Sequence, residues 1–345
     1  MAMSLCSLVE QVNKMLQWDP MPASFRVFDE GEISAVATLS TTSLAIIEQA
    51  FSALAEGRVI MPAPLGLHIK EDKVEGEVHV KTAYIRGSEG FAVKVATGFY
   101  RNARLGLPTS SGMILYLDSQ TGQVVALFAD NGYLTDLRTA LAGAVAAKHL
   151  APMQVSTVGI VGTGIQARWQ LRAIALVRKI SQVLVFGRNA AATEAYIRDM
   201  QIIVSADIRR ADTVSELVRQ SDLVVTTTPS REALIKARDL HAGLHITAMG
   251  SDGPGKRELE SSVLDQADVV VCDSYDQCLR LGELQHAVLP RTRVVELGEL
   301  TSGMREGRSN DHQISVCDLT GTGVQDSAIA EYAFSTLQQK GTRHS

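Results

Sequence analysis

Residues 157–175 decide more about this fold than any other stretch of the chain. They read as a β-branched run, a glycine turn and an amphipathic helix: Val158-Gly-Ile-Val-Gly162-Thr-Gly164-Ile165-Gln166-Ala167-Arg-Trp-Gln-Leu171-Arg172. Gly162 permits a tight turn, Gly164 lets the backbone come close to a pyrophosphate, and Ala167 stands where a small residue lets helix pack on strand. The unpaired N–H groups and the dipole at that helix N-terminus hold the anion. A glycine triplet alone is weak evidence. Here residues 157–161 supply the strand before it, and Leu171, Ile174 and Ala175 share one helical face after it. The segment therefore reads as a dinucleotide site for NAD or NADP, with Ile165 and Gln166 counted among its contacts.

At 345 residues and 46% hydrophobic content, the chain can bury one large core or two moderate ones, and its length favours two domains. No apolar stretch approaches the roughly 18 residues a membrane helix needs, and Glu10 with scattered polar residues stands where a signal peptide needs an apolar core. A soluble, cytoplasmic protein is expected. Cys6, Cys272, Cys278 and Cys317 lie far apart, without metal-ligand spacing or a paired framework, so they read as reduced, mostly core thiols. Neither metal nor disulfide is expected. A net charge of -5 offers no basic field for phosphate backbones and argues against nucleic acid.

From residue 155 onward strands and helices alternate: strand 183–186, helix 190–200, a short strand 202–204, helix 214–218, strand 223–228, strand 245–249, helix 262–266 and strand 269–272. This is the rhythm of a parallel, doubly wound, Rossmann-type sheet with its ligand at the carboxyl ends of the strands. Residues 1–135 read otherwise. Leu44, Ile47, Ala50, Phe51 and Leu54 mark a helix stopped by Gly57, and alternating segments follow at 78–80, 91–95, 113–117 and 124–128, joined by Gly-, Asn- and Asp-rich turns. The expected fold is α/β: a nucleotide domain over 136–314, and an α+β substrate and dimerisation domain, largely antiparallel, over 1–135. An Ala-rich helix, 134–150, carries the chain between them and sets Arg138 near its start, close to the interdomain cleft. Residues 314–318 read as a strand leaving the nucleotide domain. A helix near 328–338 should then pack back, so that 315–345 completes the first domain.

Four further segments look unlike plain scaffold: Phe91-Ala-Val-Lys94-Val-Ala-Thr-Gly98 with Leu105-Gly-Leu-Pro-Thr109-Ser110; Asn131-Gly-Tyr-Leu-Thr135-Asp-Leu-Arg138-Thr-Ala140; Thr226-Thr227-Thr228-Pro-Ser230; and Ala248-Met249-Gly250-Ser251-Asp252-Gly-Pro-Gly-Lys256. With the glycine turn, they make five separated motifs that resemble the ornithine cyclodeaminase and mu-crystallin family, in that family's order and over nearly the whole chain. The likeness is nearest to imine-reducing members such as iminosuccinate reductases, and extends to Lys81-Thr-Ala-Tyr84 and Asp318-Leu-Thr-Gly-Thr-Gly-Val-Gln-Asp326.

Lys94 lies in an apolar strand, where a buried ammonium needs a partner; from the residues alone it either meets an anion in a cleft or snorkels from an edge strand. The resemblance implies the former, near the substrate. Asp252 follows a buried-type strand and a glycine; alone it reads as a turn aspartate before Pro254, whereas the resemblance implies a carboxylate facing the nicotinamide and the substrate nitrogen. Arg138 reads either as a surface arginine paired to Asp136 or Asp130, or, by the resemblance, as a fork for the substrate α-carboxylate. The resemblance also implies Thr109 beside the substrate, and Thr135, Thr227, Thr228, Met249, Gly250 and Ser251 beside the cofactor. A homodimer through the first domain is implied as well.

Two departures bear on substrate. Ornithine cyclodeaminases carry an arginine in the strand before the hairpin, and Met61-Pro-Ala-Pro-Leu-Gly-Leu67 offers none. Where many relatives read Met-Pro-Ala-Tyr this chain has Lys81-Thr-Ala-Tyr84, a second cation near the pocket unless it pairs with Glu77 or Glu89 at the surface. At the end of the second strand of the nucleotide unit, Val185-Phe-Gly-Arg188-Asn189 has no carboxylate for the ribose hydroxyls, and Arg188 suits a 2′-phosphate. The expectation is an NAD(P)H-dependent reductase of small α-imino or α-keto acids, leaning to NADP and to a dicarboxylic imine. Its rivals are a redox-neutral cyclodeaminase that retains NAD and a non-catalytic ligand carrier.

Overall fold

The computed structural model describes residues 25–342 apart from Lys73. Cys6 and Glu10 lie outside the described residues. Seven strands form the first sheet: β1 (Arg26–Asp29), β2 (Val59–Ile60), β3 (Leu65–Lys70), β4 (Glu75–Ile85), β5 (Gly90–Gly98), β6 (Ser110–Asp118) and β7 (Val124–Ala129). Their order is β1-β7-β6-β5-β4-β2, with β3 also paired to β4, and every pairing but β1 with β7 is antiparallel. Alternate residues of β5, among them Ala92 and Lys94, are buried while Phe91, Val93 and Val95 stay partly open. One face is thus covered. The helices Thr41–Ala55 and Gly323–Thr342 pack against each other, and the latter lies on β4 and β5. It comes close because Gly323 has no side chain; a Cβ there would stand 2.4 Å from the Thr82 carbonyl. Ile47 and Phe51 of the first helix are wholly buried, each contributing about 1.5–3 kcal/mol of transfer free energy.

The second sheet holds β8 (Thr157–Val161), β9 (Gln182–Phe186), β10 (Asp207–Arg210), β11 (Leu223–Thr226), β12 (His245–Ala248), β13 (Val269–Cys272), β14 (Val294–Glu296) and β15 (Ser315–Asp318). All run parallel in the order β10-β9-β8-β11-β12-β15-β13-β14. The α/β architecture with a doubly wound parallel sheet is as expected. Helix Tyr133–Leu150 joins the two sheets; Asp130 starts it by accepting from the Gly132 and Leu134 amides at 3.1 and 2.8 Å. Cys272, Cys278 and Cys317 are buried and unbridged. No helix among the described residues is long and apolar enough to cross a membrane.

Two expectations need correction. Residues 202 and 203 are not a strand: they end the helix Ala190–Ile203, and the sheet edge is instead β10, read Asp-Ile-Arg-Arg, where only Ile208 is buried. A single inward residue carries no alternation for a sequence pattern to detect. Residues 315–318 do not leave the nucleotide unit to complete the first: β15 sits inside the parallel sheet, between β12 and β13. Its four residues are all buried, as a central parallel strand requires. Only the helix Gly323–Thr342 returns to the first sheet, starting earlier than 328.

Candidate functional site

The carboxyl ends of β8, β9, β11 and β12 and the strands β4 and β5 border one cleft of about 850 Å³. On the parallel-sheet wall, Gly162 has φ +120°, and a Cβ there would stand 2.5 Å from Thr227 Oγ1, so the turn itself demands glycine. Gly164 differs. Its φ is -78° and an added Cβ would meet no protein atom within 4 Å. It opens the helix Ile165–Ile174, whose first N–H groups face the cleft as an anion cradle. These features fit a dinucleotide pyrophosphate. Thr135, Ile165, Gln166, Arg188, Asn189, Thr227, Thr228, Met249 and Gly250 also line the cleft. Gln166 Nε2 donates to Asp136 Oδ1 at 2.7 Å, and burial lifts the Asp136 carboxyl to about 6. Asn189 caps the helix Ala190–Ile203 by accepting from Ala192 N at 3.0 Å.

Two residues expected at the cofactor do not line the cleft. Ala167 is fully buried beneath it, where its small side chain lets the helix approach the sheet. Ser251 is buried too, its hydroxyl donating to the Lys256 carbonyl at 2.9 Å. The loops are braced instead by Glu258, a residue with no signature in the sequence. Its carboxylate accepts from Thr226 Oγ1 (2.5 Å), Thr228 N (2.6 Å), Thr228 Oγ1 (2.7 Å) and Gly250 N (2.8 Å), tying two strand ends together.

On the facing wall three cations gather around one carboxylate. Lys94 Nζ lies 2.9 and 2.8 Å from the two Asp326 oxygens, and Arg138 Nε donates to Asp326 Oδ1 at 2.9 Å. Arg138 pairs with neither Asp136 nor Asp130. Burial and the neighbouring guanidinium bring the Lys94 ammonium down to about 7, while burial opposes the charge of Asp326 but Lys94 and Arg138 outweigh it and hold that carboxyl low. Lys81 stands directly opposite Lys94 in the β4–β5 ladder. It is buried, and neither Glu77 nor Glu89 holds it at the surface: Nζ donates to the Thr320 and Gly321 carbonyls at 3.0 and 2.7 Å. That turn is fastened from the other side by Asp273, which accepts from the Thr320 and Gly321 amides at 2.8 and 2.6 Å.

Asp252 projects into the cleft with its side chain 40% exposed, and its Oδ1 accepts from Lys256 Nζ at 2.7 Å. Lys256 is itself buried and reaches across to Glu77 Oε1 on β4 at 2.7 Å and to Tyr100 OH at 3.1 Å. Thr109 lines the same end of the cleft. The site is thus polarised, with a surplus of donors around Lys81, Lys94 and Arg138 and a surplus of carboxylate around Asp252 and Glu77. Asp326, Lys256, Glu77 and Glu258 were not singled out from the sequence. Asp326 and Lys256 stand inside recognised motifs, but partners some 180 to 230 residues away give no local pattern.

A family model for the ornithine cyclodeaminase/mu-crystallin family matches residues 27–341. The chain belongs to that family. An uncharacterised cyclodeaminase of Sinorhizobium fredii is 44% identical over 323 residues, covering 92% of this chain and 97% of the relative. Among solved structures, the Thermococcus litoralis Δ1-pyrroline-2-carboxylate reductase in complex with NADH and L-proline superposes with a TM-score of 0.85 at 27% identity, covering 91% of this chain and 98% of the other. An archaeal alanine dehydrogenase dimer with bound NAD gives 0.82 at 30% identity, with 91% and 96% coverage.

Proposed function

We propose that this family member is an NAD(P)H-dependent reductase of small α-imino or α-keto acids, yielding α-amino acids. The observation that carries the reading is the polarity of the cleft: an Arg138–Lys94–Asp326 cluster and a cleft-facing Asp252, both beside the glycine turn. Proline and alanine, the amino acids in the neighbours' names, are products of such a reduction. Arg138 keeps its terminal nitrogens for a substrate α-carboxylate, and Lys94 adds charge that draws electron density from the carbon. Asp252, ionised beside Lys256, holds the substrate nitrogen as its iminium. Gly162, Gly164 and the N-terminus of helix Ile165–Ile174 would hold the pyrophosphate of a reduced dinucleotide, which would supply the hydride to this carbon. The walls fix the reacting groups in one desolvated space, which is where most of the acceleration arises.

Two finer features follow from particular side chains. Arg188, with no carboxylate near it on the Val185-Phe-Gly-Arg-Asn segment, favours the 2′-phosphate of NADPH. Lys81 leaves one of its N–H groups for the pocket after serving two carbonyls, and three cations against Asp326 suit a dicarboxylic imine such as iminosuccinate. A screen of NADPH and NADH oxidation with Δ1-pyrroline-2-carboxylate, pyruvate plus ammonia and oxaloacetate plus ammonia tests the whole reading. The expected result is stoichiometric cofactor oxidation, fastest with oxaloacetate plus ammonia, and a shift toward pyruvate in Lys81→Met. The name of the 44% identical relative supports a second reading, redox-neutral cyclodeamination; release of ammonia from ornithine with no net cofactor oxidation would select it. The apolar outer face of the first sheet supports a homodimer.

A further inference from the structure

Lys256 is a buried cation of this site that ties its two carboxylate-bearing walls together. It sits on the loop after β12, yet its ammonium is shared between Asp252 on its own loop and Glu77 on β4, each at 2.7 Å, with Tyr100 OH at 3.1 Å. Tyr100 in turn donates to Glu77 Oε1 at 2.6 Å, and His79 Nε2 stands 3.7 Å from Glu77 Oε2. Lys256, Glu77 and His79 are largely withdrawn from water, whereas Asp252 is open to the cleft. Two carboxylates around one ammonium balance only while the ammonium is there; without it they compete to be charged.

We propose that Lys256 and Glu77 are positioning residues that set the ionisation and direction of Asp252 through a bridge between the two sheets. The inference rests on the reading of Asp252 as the group facing the substrate nitrogen. The charged groups bearing on Asp252 are Lys256 from its own loop and Glu77 and Lys81 from β4, with the neutral Tyr100 of the turn Tyr100–Leu105 beside them. Desolvation works against its charge, yet Lys256 prevails and holds its carboxyl below the usual carboxylate range. Glu77 acts in the opposite sense on Asp252. The two bridge residues therefore leave opposite signatures, which a merely structural brace does not.

The test is a titration of the ligand-free protein with ¹³C-labelled aspartate, the Asp252 resonance being the one lost in Asp252→Asn. Lys256→Met is expected to move the Asp252 midpoint up by at least one pH unit, and Glu77→Gln to move it down. The acid limb of kcat/KM, followed with NADH and the imines of the screen above, should move in the same two directions, while NADH affinity by fluorescence stays unchanged. Unmoved midpoints, or shifts of the same sign in both variants, overturn the proposal. If Lys256→Met does not fold, the downward shift in the near-isosteric Glu77→Gln decides alone. A fully active Asp252→Asn sinks the role of Asp252 in turnover, and the titration of the resting protein still reports on the bridge.

Discussion

Gly162 and Gly164, two positions apart, answer to different partners. The first is required by the chain, because its positive φ and the nearby Thr227 leave no place for a Cβ. The second is not: its backbone is ordinary and the space beside it open, so an added side chain would meet no protein atom and would matter only to something bound in the cleft. Gly164→Val is expected to cost the fold no more than about 1 kcal/mol, as for a poor helix N-cap, and to abolish NADH and NADPH binding by fluorescence titration. Retained affinity would remove the pyrophosphate from this turn. At the far end of the same wall, Arg188→Ala should weaken NADPH by about 1.5–3 kcal/mol, the range for hydrogen bonds to charged groups, and scarcely change NADH. Equal kcat/KM for both cofactors in the unaltered protein speaks against the NADP preference. Among the site residues, the motifs picked out Lys94, Arg138, Asp252 and the glycines, but not Asp326 or Lys256, which also stand inside recognised motifs. Lys81 was legible as a cation near the pocket but not as the clamp on Thr320 and Gly321, because its partners are main-chain carbonyls some 240 residues away.

At the scale of elements, apolar runs and amphipathic helices announced themselves, whereas a polar edge strand and a strand's place in the sheet did not. Helix Tyr133–Leu150 and strands β8, β11 and β13 stand close to where the pattern sets them. Edge strand β10 was missed because it buries only Ile208, and β15, correctly read as a strand, was misplaced because its neighbours β12 and β13 lie far from it along the chain. Central strand β12 also holds an acid-sensitive point. His245 is wholly buried between Ser315 Oγ (2.9 Å) and Thr247 Oγ1 (3.0 Å), and burial pushes its imidazole down to about 3. The unfolded chain takes up that proton near pH 6.5 and the folded one does not, so stability contributed by neutral His245 is lost as pH falls from about 6.5 toward 3. Between pH 7 and pH 5 this amounts to about 2 kcal/mol at ~1.4 kcal/mol per pH unit. Urea unfolding at the two pH values should show that loss, and His245→Asn should shrink it by a similar amount. An equal pH effect in both proteins would assign the sensitivity elsewhere.

At the scale of the whole molecule, the first sheet presents an apolar face that a lone chain does not cover. Across the uncovered face of the first sheet, Leu65, Val80, Val95 and Met113 form one cross-strand row, and Val93, Leu115, Leu127 and Val27 a second. Leu65 is 63% exposed and Met113 47%. Two apolar rows on one open sheet form a contiguous patch of the kind that marks an interaction site. A second copy of the chain, joined face to face, is the partner this symmetry-ready sheet favours. Light scattering is expected to give twice the chain mass of 37.2 kDa, and Val95→Lys with Met113→Lys to give a monomer. A monomeric unaltered protein would refute the assignment.

By itself the sequence determined the glycine turn between β8 and the helix Ile165–Ile174, the alternation that makes a parallel sheet, and the motif residues that reach the cleft. These depend on contacts within about twenty residues, so periodicity and turn chemistry carry them. Tertiary structure alone decided which charges meet. Lys94 and Arg138 share Asp326, Lys256 spans from Asp252 to Glu77, and Glu258 braces two strand ends. The energy of a buried charge depends on the partner that replaces its water, and that partner is chosen by how the two sheets close on one another rather than by its neighbours along the chain.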